Sequence, residues 1–205
     1  VPSRVFGEWL VSGKIDKLYV ARPNISKAKH RNGFLPGSIE EKTAPWLVPI
    51  FEGIKESMGP SDFDRFQREK KIEEVPFEFI QGRTLKNAAC IVDEAENLDL
   101  DDLYITLTRQ GENLTMVFCG DVFQSRIPDS GLATAVEMAG THSMESIGIV
   151  EFGFEDVVRS RQAKQWAEAF SAHWRRNNFH AACNNGANNT AFNNNNVPNF
   201  LKGAA

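Results

Sequence analysis

The sequence predicts an α/β fold with a largely parallel sheet flanked by helices, and three observations carry this. Short apolar, β-rich runs recur along the chain, separated by amphipathic helical stretches. Two of the runs, 88–92 and 114–119, are apolar at nearly every position, and the first suits a strand buried on both faces. Both end abruptly in acids, Asp93-Glu94 and Gly120-Asp121, where open α/β sheets bind their ligands.

The elements follow in order. Residues 3–12 read as a helix, with Val5, Phe6, Trp9 and Leu10 at helical spacing and Gly13 as its stop. A strand follows at 18–21. Residues 39–57 form a helix whose stripe is Trp46, Leu47, Ile50, Phe51 and Ile54, with Pro45 and Pro49 expected to break or kink it. A second short helix covers 62–70. The alternation of Val75, Phe77 and Phe79 predicts a strand over 75–80. After the strand at 88–92, Asp99 is a good N-cap for a helix over 100–108, and Asp101 and Asp102 favour its first turn. That gives these acids a structural role. A strand at 114–119, a helix at 130–139, a strand at 147–152 and an amphipathic helix at 162–175 complete the core, the last with Ala163, Trp166, Ala167 and Phe170.

Beyond Arg176 asparagine dominates, with a run at 193–196. Asn, Gly and Ala without an apolar period bury too little surface to offset chain entropy. The expected organisation is one domain over 1–176 and a disordered or loosely attached tail over 177–205.

A chain of 205 residues with 41% hydrophobic content can bury a sizeable core. Its net charge of −4 does not announce a nucleic-acid binder. Lys14, Lys17, Arg22, Lys27, Lys29, His30 and Arg31 do cluster locally, as a solvated loop or as a phosphate-tracking patch. No apolar run reaches the roughly 18 residues of a membrane span. Cys90 and Cys119 fall within apolar strands, and Cys183 lies in the tail. The odd count without a Cys-x-x-Cys pair favours a reduced, cytoplasmic compartment. His30, His142, His173 and His180 lack metal-ligand spacing. The absence of a Gly-x-Ser-x-Gly elbow leaves a hydrolase triad without support.

The chemistry sits at the two acidic strand ends. Ala88 to Glu94 has the form of a Walker B element, in which the first carboxylate helps hold Mg²⁺ and the second orients or deprotonates a water. In Gly120-Asp121-Val122-Phe123-Gln124, the glycine permits close backbone approach to a ligand. The Asp accepts from a metal-bound water or a loop amide, and the Gln amide can contact a phosphate oxygen or the attacking water.

Several blocks in one order resemble the PhoH family of P-loop ATPases: Ala21-Arg22-Pro23, Gly33-Phe34-Leu35-Pro36-Gly37 with Glu40-Glu41-Lys42, Gly82-Arg83-Thr84-Leu85, Ile91 to Asn97, Leu107-Thr108-Arg109, Gly120 to Gln124, and Glu155-Asp156-Val157-Val158-Arg159. The resemblance covers about residues 5–170. It implies a RecA-like P-loop NTPase core related to the superfamily-one helicases, ATP and Mg²⁺ as cofactors, and a ring-like homo-oligomer. It also implies a link to RNA or single-stranded DNA. On this reading Asp93 takes the metal, Glu94 the water, Gln124 the γ-phosphate and Asp121 the nucleotide site. Arg159 is the candidate arginine finger. Arg22, Arg83 and Arg109 are candidates for nucleotide or strand contacts, against the plainer expectation of surface or inter-element salt bridges.

The chain departs from the family pattern. It contains no Gly-x-x-x-x-Gly-Lys-Ser/Thr, so it lacks the amide nest and Lys that grip a triphosphate. Aligned on Arg22-Pro23, that segment falls just before Val1, and the expectation is a chain cut just after its Walker A element. Alone it is expected to bind ATP weakly and not to turn it over. Glu96 stands where the family usually has Gln, adding negative charge near the metal, and Ala21 where it usually has Thr. The competing class is a non-catalytic module that binds nucleic acid or a partner on a vestigial ATPase fold.

Overall fold

The computed structural model describes residues 1–23, 39–127, 130–142 and 144–184. They divide into two compact units, the first ending at Ala135 and the second beginning at Val136.

The first unit is built on a sheet. Its elements are α1 (Pro2–Val11), β1 (Lys17–Arg22), α2 (Ile39–Met58), α3 (Pro60–Arg68), β2 (Ile72–Pro76), α4 (Phe77–Gln81), β3 (Ala88–Val92), α5 (Leu100–Thr108) and β4 (Leu114–Phe118). The four strands run in the order β2-β1-β3-β4. Every neighbouring pair is parallel, with Ala21 opposite Val92 and Val92 opposite Phe118. This is the α/β architecture of a P-loop NTPase core: an all-parallel sheet flanked by helices. Strand period two divides the side chains between two cores. Leu18, Val20, Ala89 and Ile91 join Phe6, Leu10, Leu47, Ile54, Phe63 and Phe66 from α1, α2 and α3. Ala21, Val75, Cys90 and Val92 join Phe77, Ile80 and Leu103 from α4 and α5. β3 is buried at every position, which explains its apolar sequence. Asp99 caps α5 as expected, its carboxylate accepting the Asp102 amide at 2.8 Å.

Two expectations in this unit are corrected. The predicted strand over 75–80 is the end of β2 followed by α4. Phe77 and Ile80 are buried while Phe79 is 53% exposed, an i, i+3 pattern that overrides the apparent alternation. Pro45 and Pro49 do not end α2, which is one continuous helix of 20 residues.

The second unit holds the rest of α6 (Leu132–Thr141), a 3-10 turn at Phe154–Asp156 and α7 (Arg161–Asn184). Residues 147–152, expected as a strand, have no regular structure. Ile147, Ile149, Val150 and Phe152 are all exposed, and the segment has no ladder partner among the described residues. The last helix continues through Asn184, beyond the boundary expected at 177, aided by the good helix formers Ala181 and Ala182. The remaining tail, 185–205, lies outside the described residues, as do Gly33 to Gly37 of the upstream motif. Among the described residues no helix is long and apolar enough to cross a membrane.

Candidate functional site

The carboxyl ends of β1, β3 and β4 are tied together one step past the strands. The Asp93 amide donates to the Ala21 carbonyl at 2.9 Å, the Cys119 amide to Val92 at 2.8 Å, and the Ala95 amide to Cys119 at 2.8 Å. The ladder therefore places Arg22, Asp93 and the Gly120-Asp121 loop at one sheet edge. Glu94 sits at φ 54°, ψ 41°, a left-handed conformation that is uncommon for a residue with a Cβ and occurs where surroundings enforce it. It turns the chain into a 3-10 turn over Ala95–Asn97.

The acids are paired. Arg22 meets Glu94 Oε1 at 2.6 Å and Asp93 Oδ2 at 3.6 Å. The Asn97 amide nitrogen lies 3.3 Å from Glu94 Oε2 and from Glu96 Oε1, while its oxygen accepts the Arg126 amide at 2.9 Å. In the neighbouring loop, Gln124 Nε2 donates to Asp121 Oδ2 at 2.7 Å.

Glu96, expected to add negative charge near the metal, is folded inward, with the residue only 4% exposed, and accepts the Asp121 amide at 3.2 Å. Gly120 makes room for it: a Cβ there would stand 2.6 Å from Glu96 Oε2 and 2.9 Å from its backbone nitrogen. Glu96 thus joins the Asp-Glu turn to the Gly-Asp-x-x-Gln loop.

Desolvation dominates the electrostatics. Burial pushes the Asp93 carboxyl above its usual range, partly offset by Arg22. Burial raises Glu96 as well, against the backbone amides that lower it. The Cys90 thiol is pushed to about 12 by burial. Burial, then the nearby Asp93 charge, raises Cys119. Neither thiol is a nucleophile at neutral pH.

Arg22 pairs with Asp93 and Glu94 and Gln124 with Asp121; the two groups are linked indirectly, through Glu96 and Asn97. Arg83 and Arg109 engage other partners. Arg83 reaches Glu73 at 3.8 Å and lies 5.7 Å from the Phe79 ring centroid, and Arg109 donates to the Gln81 carbonyl at 3.1 Å. Arg159 belongs to the second unit, after its 3-10 turn. No cluster of three or more metal-ligating side chains exists among the described residues. Mg²⁺ does not need one: it is commonly held by one or two carboxylates together with substrate phosphates, and half-buried Asp93 is a suitable oxygen donor.

An all-parallel sheet with an acidic Walker B-like strand end beside a Gly-Asp-x-x-Gln loop is consistent with a P-loop NTPase-like domain. A family profile described as "PhoH-like protein" matches residues 7–171. The chain is 38% identical over 169 residues to "Protein PhoH" of Escherichia coli (strain K12), covering 80% of this chain and 47% of that one. It is 35% identical over 164 residues to the "PhoH-like protein" of Bacillus subtilis (strain 168), covering 78% and 50%. Against the "PhoH-like protein" of Synechocystis sp. it is 33% identical over 164 residues, covering 78% and 49%. The chain belongs to the PhoH-like family, and it spans about half the length of the curated relatives it matches.

Proposed function

We propose that this chain carries the core of an ATPase that hydrolyses ATP with Mg²⁺ in the cytoplasm. The observation that supports it most is the convergence of Asp93-Glu94 and Asp121-Gln124 at one sheet edge, joined through Glu96. The ion, when bound, neutralises charge on the phosphates. The chain's own residues do the rest. Asp93 holds the metal side. Glu94, fixed by Arg22 and Asn97, orients and deprotonates the attacking water. Gln124, held by Asp121, faces the γ-phosphate. Arg159, from a neighbouring subunit of a ring, stabilises developing charge. Arg22, Arg83 and Arg109 have structural partners here, so nucleotide or strand contacts by them would require those partners to be exchanged. RNA or single-stranded DNA is the substrate class on which the ATPase would work, a reading that rests on family resemblance.

The test is Glu94→Gln in the full-length protein. ATP binding should persist while hydrolysis slows about a hundredfold or more, the scale of a lost general base. Hydrolysis at the normal rate would remove Glu94 from the chemistry. Absence of ATP binding by the unaltered full-length protein would favour a non-catalytic binding module on the same fold.

A further inference from the structure

Arg22 is unusual for an arginine at the end of a strand. Its side chain is only 16% exposed, and long cationic side chains are seldom so covered unless paired. The parallel register fixes it there: Ala21 lies opposite Val92, and the Asp93 amide bonds the Ala21 carbonyl. The next residue along β1 must therefore stand beside the acidic pair. Its contacts with the two acids are unequal. The pairing with Glu94 is a short charge-assisted hydrogen bond at 2.6 Å, whereas the approach to Asp93 is 3.6 Å, beyond hydrogen-bond length. Glu94 has a second anchor in Asn97, but its backbone is in the left-handed region, so its direction depends on these side-chain ties.

We propose that Arg22 is a positioning residue with two separable tasks: it orients the Glu94 carboxylate, and it serves as the counter-cation of Asp93 until a divalent cation takes that place. The inference rests on the reading of Asp93 as the metal-side carboxylate and deepens it. The long Asp93 contact is the one given up. The short Glu94 contact is kept, so Glu94 stays aimed when Asp93 changes partner. A guanidinium competes with a divalent ion for the same carboxylate. Removing it should strengthen metal binding while disordering Glu94, two effects of opposite sign.

The experiment measures Mn²⁺ affinity by electron paramagnetic resonance, at saturating ADP, in the full-length protein and in Arg22→Gln and Arg22→Lys. Arg22→Gln should bind Mn²⁺ on the order of tenfold more tightly, because a positive charge a few ångströms from the ion is gone. Arg22→Lys, which keeps the charge, should stay within about threefold of the parent. Turnover should fall in Arg22→Gln despite the tighter metal. Unchanged or weaker Mn²⁺ binding in folded Arg22→Gln overturns the proposal, as does the absence of Mn²⁺ binding in every protein. If Arg22→Gln does not fold, the unaltered protein decides. Its Arg22 Nε–H resonance should shift and exchange faster with solvent as Mg²⁺ saturates the site, and an unmoved resonance overturns the proposal. ATP affinity measured on the same proteins separates this outcome from a failure of the ATPase reading, because loss of ATP binding by the unaltered protein would indict the latter alone.

Discussion

Residues 88–92 and 147–152 are both short apolar segments, and they meet opposite fates. Ala88–Val92 is the central strand β3, with every residue buried and parallel partners on both sides. In 147–152, Val150 is 77% and Phe152 69% exposed, and the segment is coil. The difference shows that apolar composition supplies only the gain from burial. A strand also needs neighbours to accept its backbone N–H and C=O groups, which cost free energy when removed from water unpaired. β3 has two such neighbours, and 147–152 has none among the described residues. The same contrast extends to chemistry. The acids that follow β3 are held within a network of named partners, whereas Arg159 lies in an exposed stretch where Val158 is 99% exposed.

The sharpest way to break the comparison is to ask whether the exposed region matters to turnover. Arg159→Ala in the full-length protein should cost on the order of a thousandfold in hydrolysis rate with little change in ATP affinity, the scale of an arginine finger. Mixing inactive Arg159→Ala with inactive Glu94→Gln protein should restore some activity, since one interface then pairs intact Glu94 with intact Arg159. No recovery despite confirmed subunit exchange would place Arg159 in cis or make it structural.

Stability should follow the packing contrast. Ile91→Ala removes a side chain at 1% exposure and should cost about 2–5 kcal/mol. Val158→Ala should change stability by about 0.5 kcal/mol or less. Urea denaturation measures both, and similar costs at the two sites would contradict the assignment of 88–92 as core and the region around 158 as surface.

A smaller effect probes the buried acid behind β3. The folded-state pKa of Glu96 is raised above its ordinary 4.5. Its contribution is therefore fully present below that value and is lost as pH rises through the folded pKa. Glu96→Gln keeps an oxygen for the Asp121 amide and removes the titration. Its unfolding midpoint should thus lose less than the parent's between about pH 4 and pH 7. Asp93, raised in the same direction, leaves part of the slope in place. Parallel stability curves would mean that burial does not raise the Glu96 pKa in the folded protein.

Local signals were legible where local physics decides. The apolar run 88–92, the Asp99 cap and the two acidic strand ends each depend on neighbours a few residues away, and each appears where the sequence places it. The segment after β2 was misread because Val75, Phe77 and Phe79 alternate like a strand, while Phe77 and Ile80 pack on one helical face. The burial of Glu96 left no local signal, because the space that receives it is made by Gly120, 24 positions away.

By itself the sequence determined the kind of sheet, the family, and the identity of the acids at its edge, because these follow from hydrophobic period and from motifs contiguous along the chain. Only the tertiary structure decided the strand order β2-β1-β3-β4 and the pairing of Arg22 with Asp93 and Glu94. It also decided that Glu96 is an internal tie and that 147–152 joins no strand among the described residues. Those outcomes depend on which backbone groups find partners far away along the chain, and spacing within a segment carries no record of that.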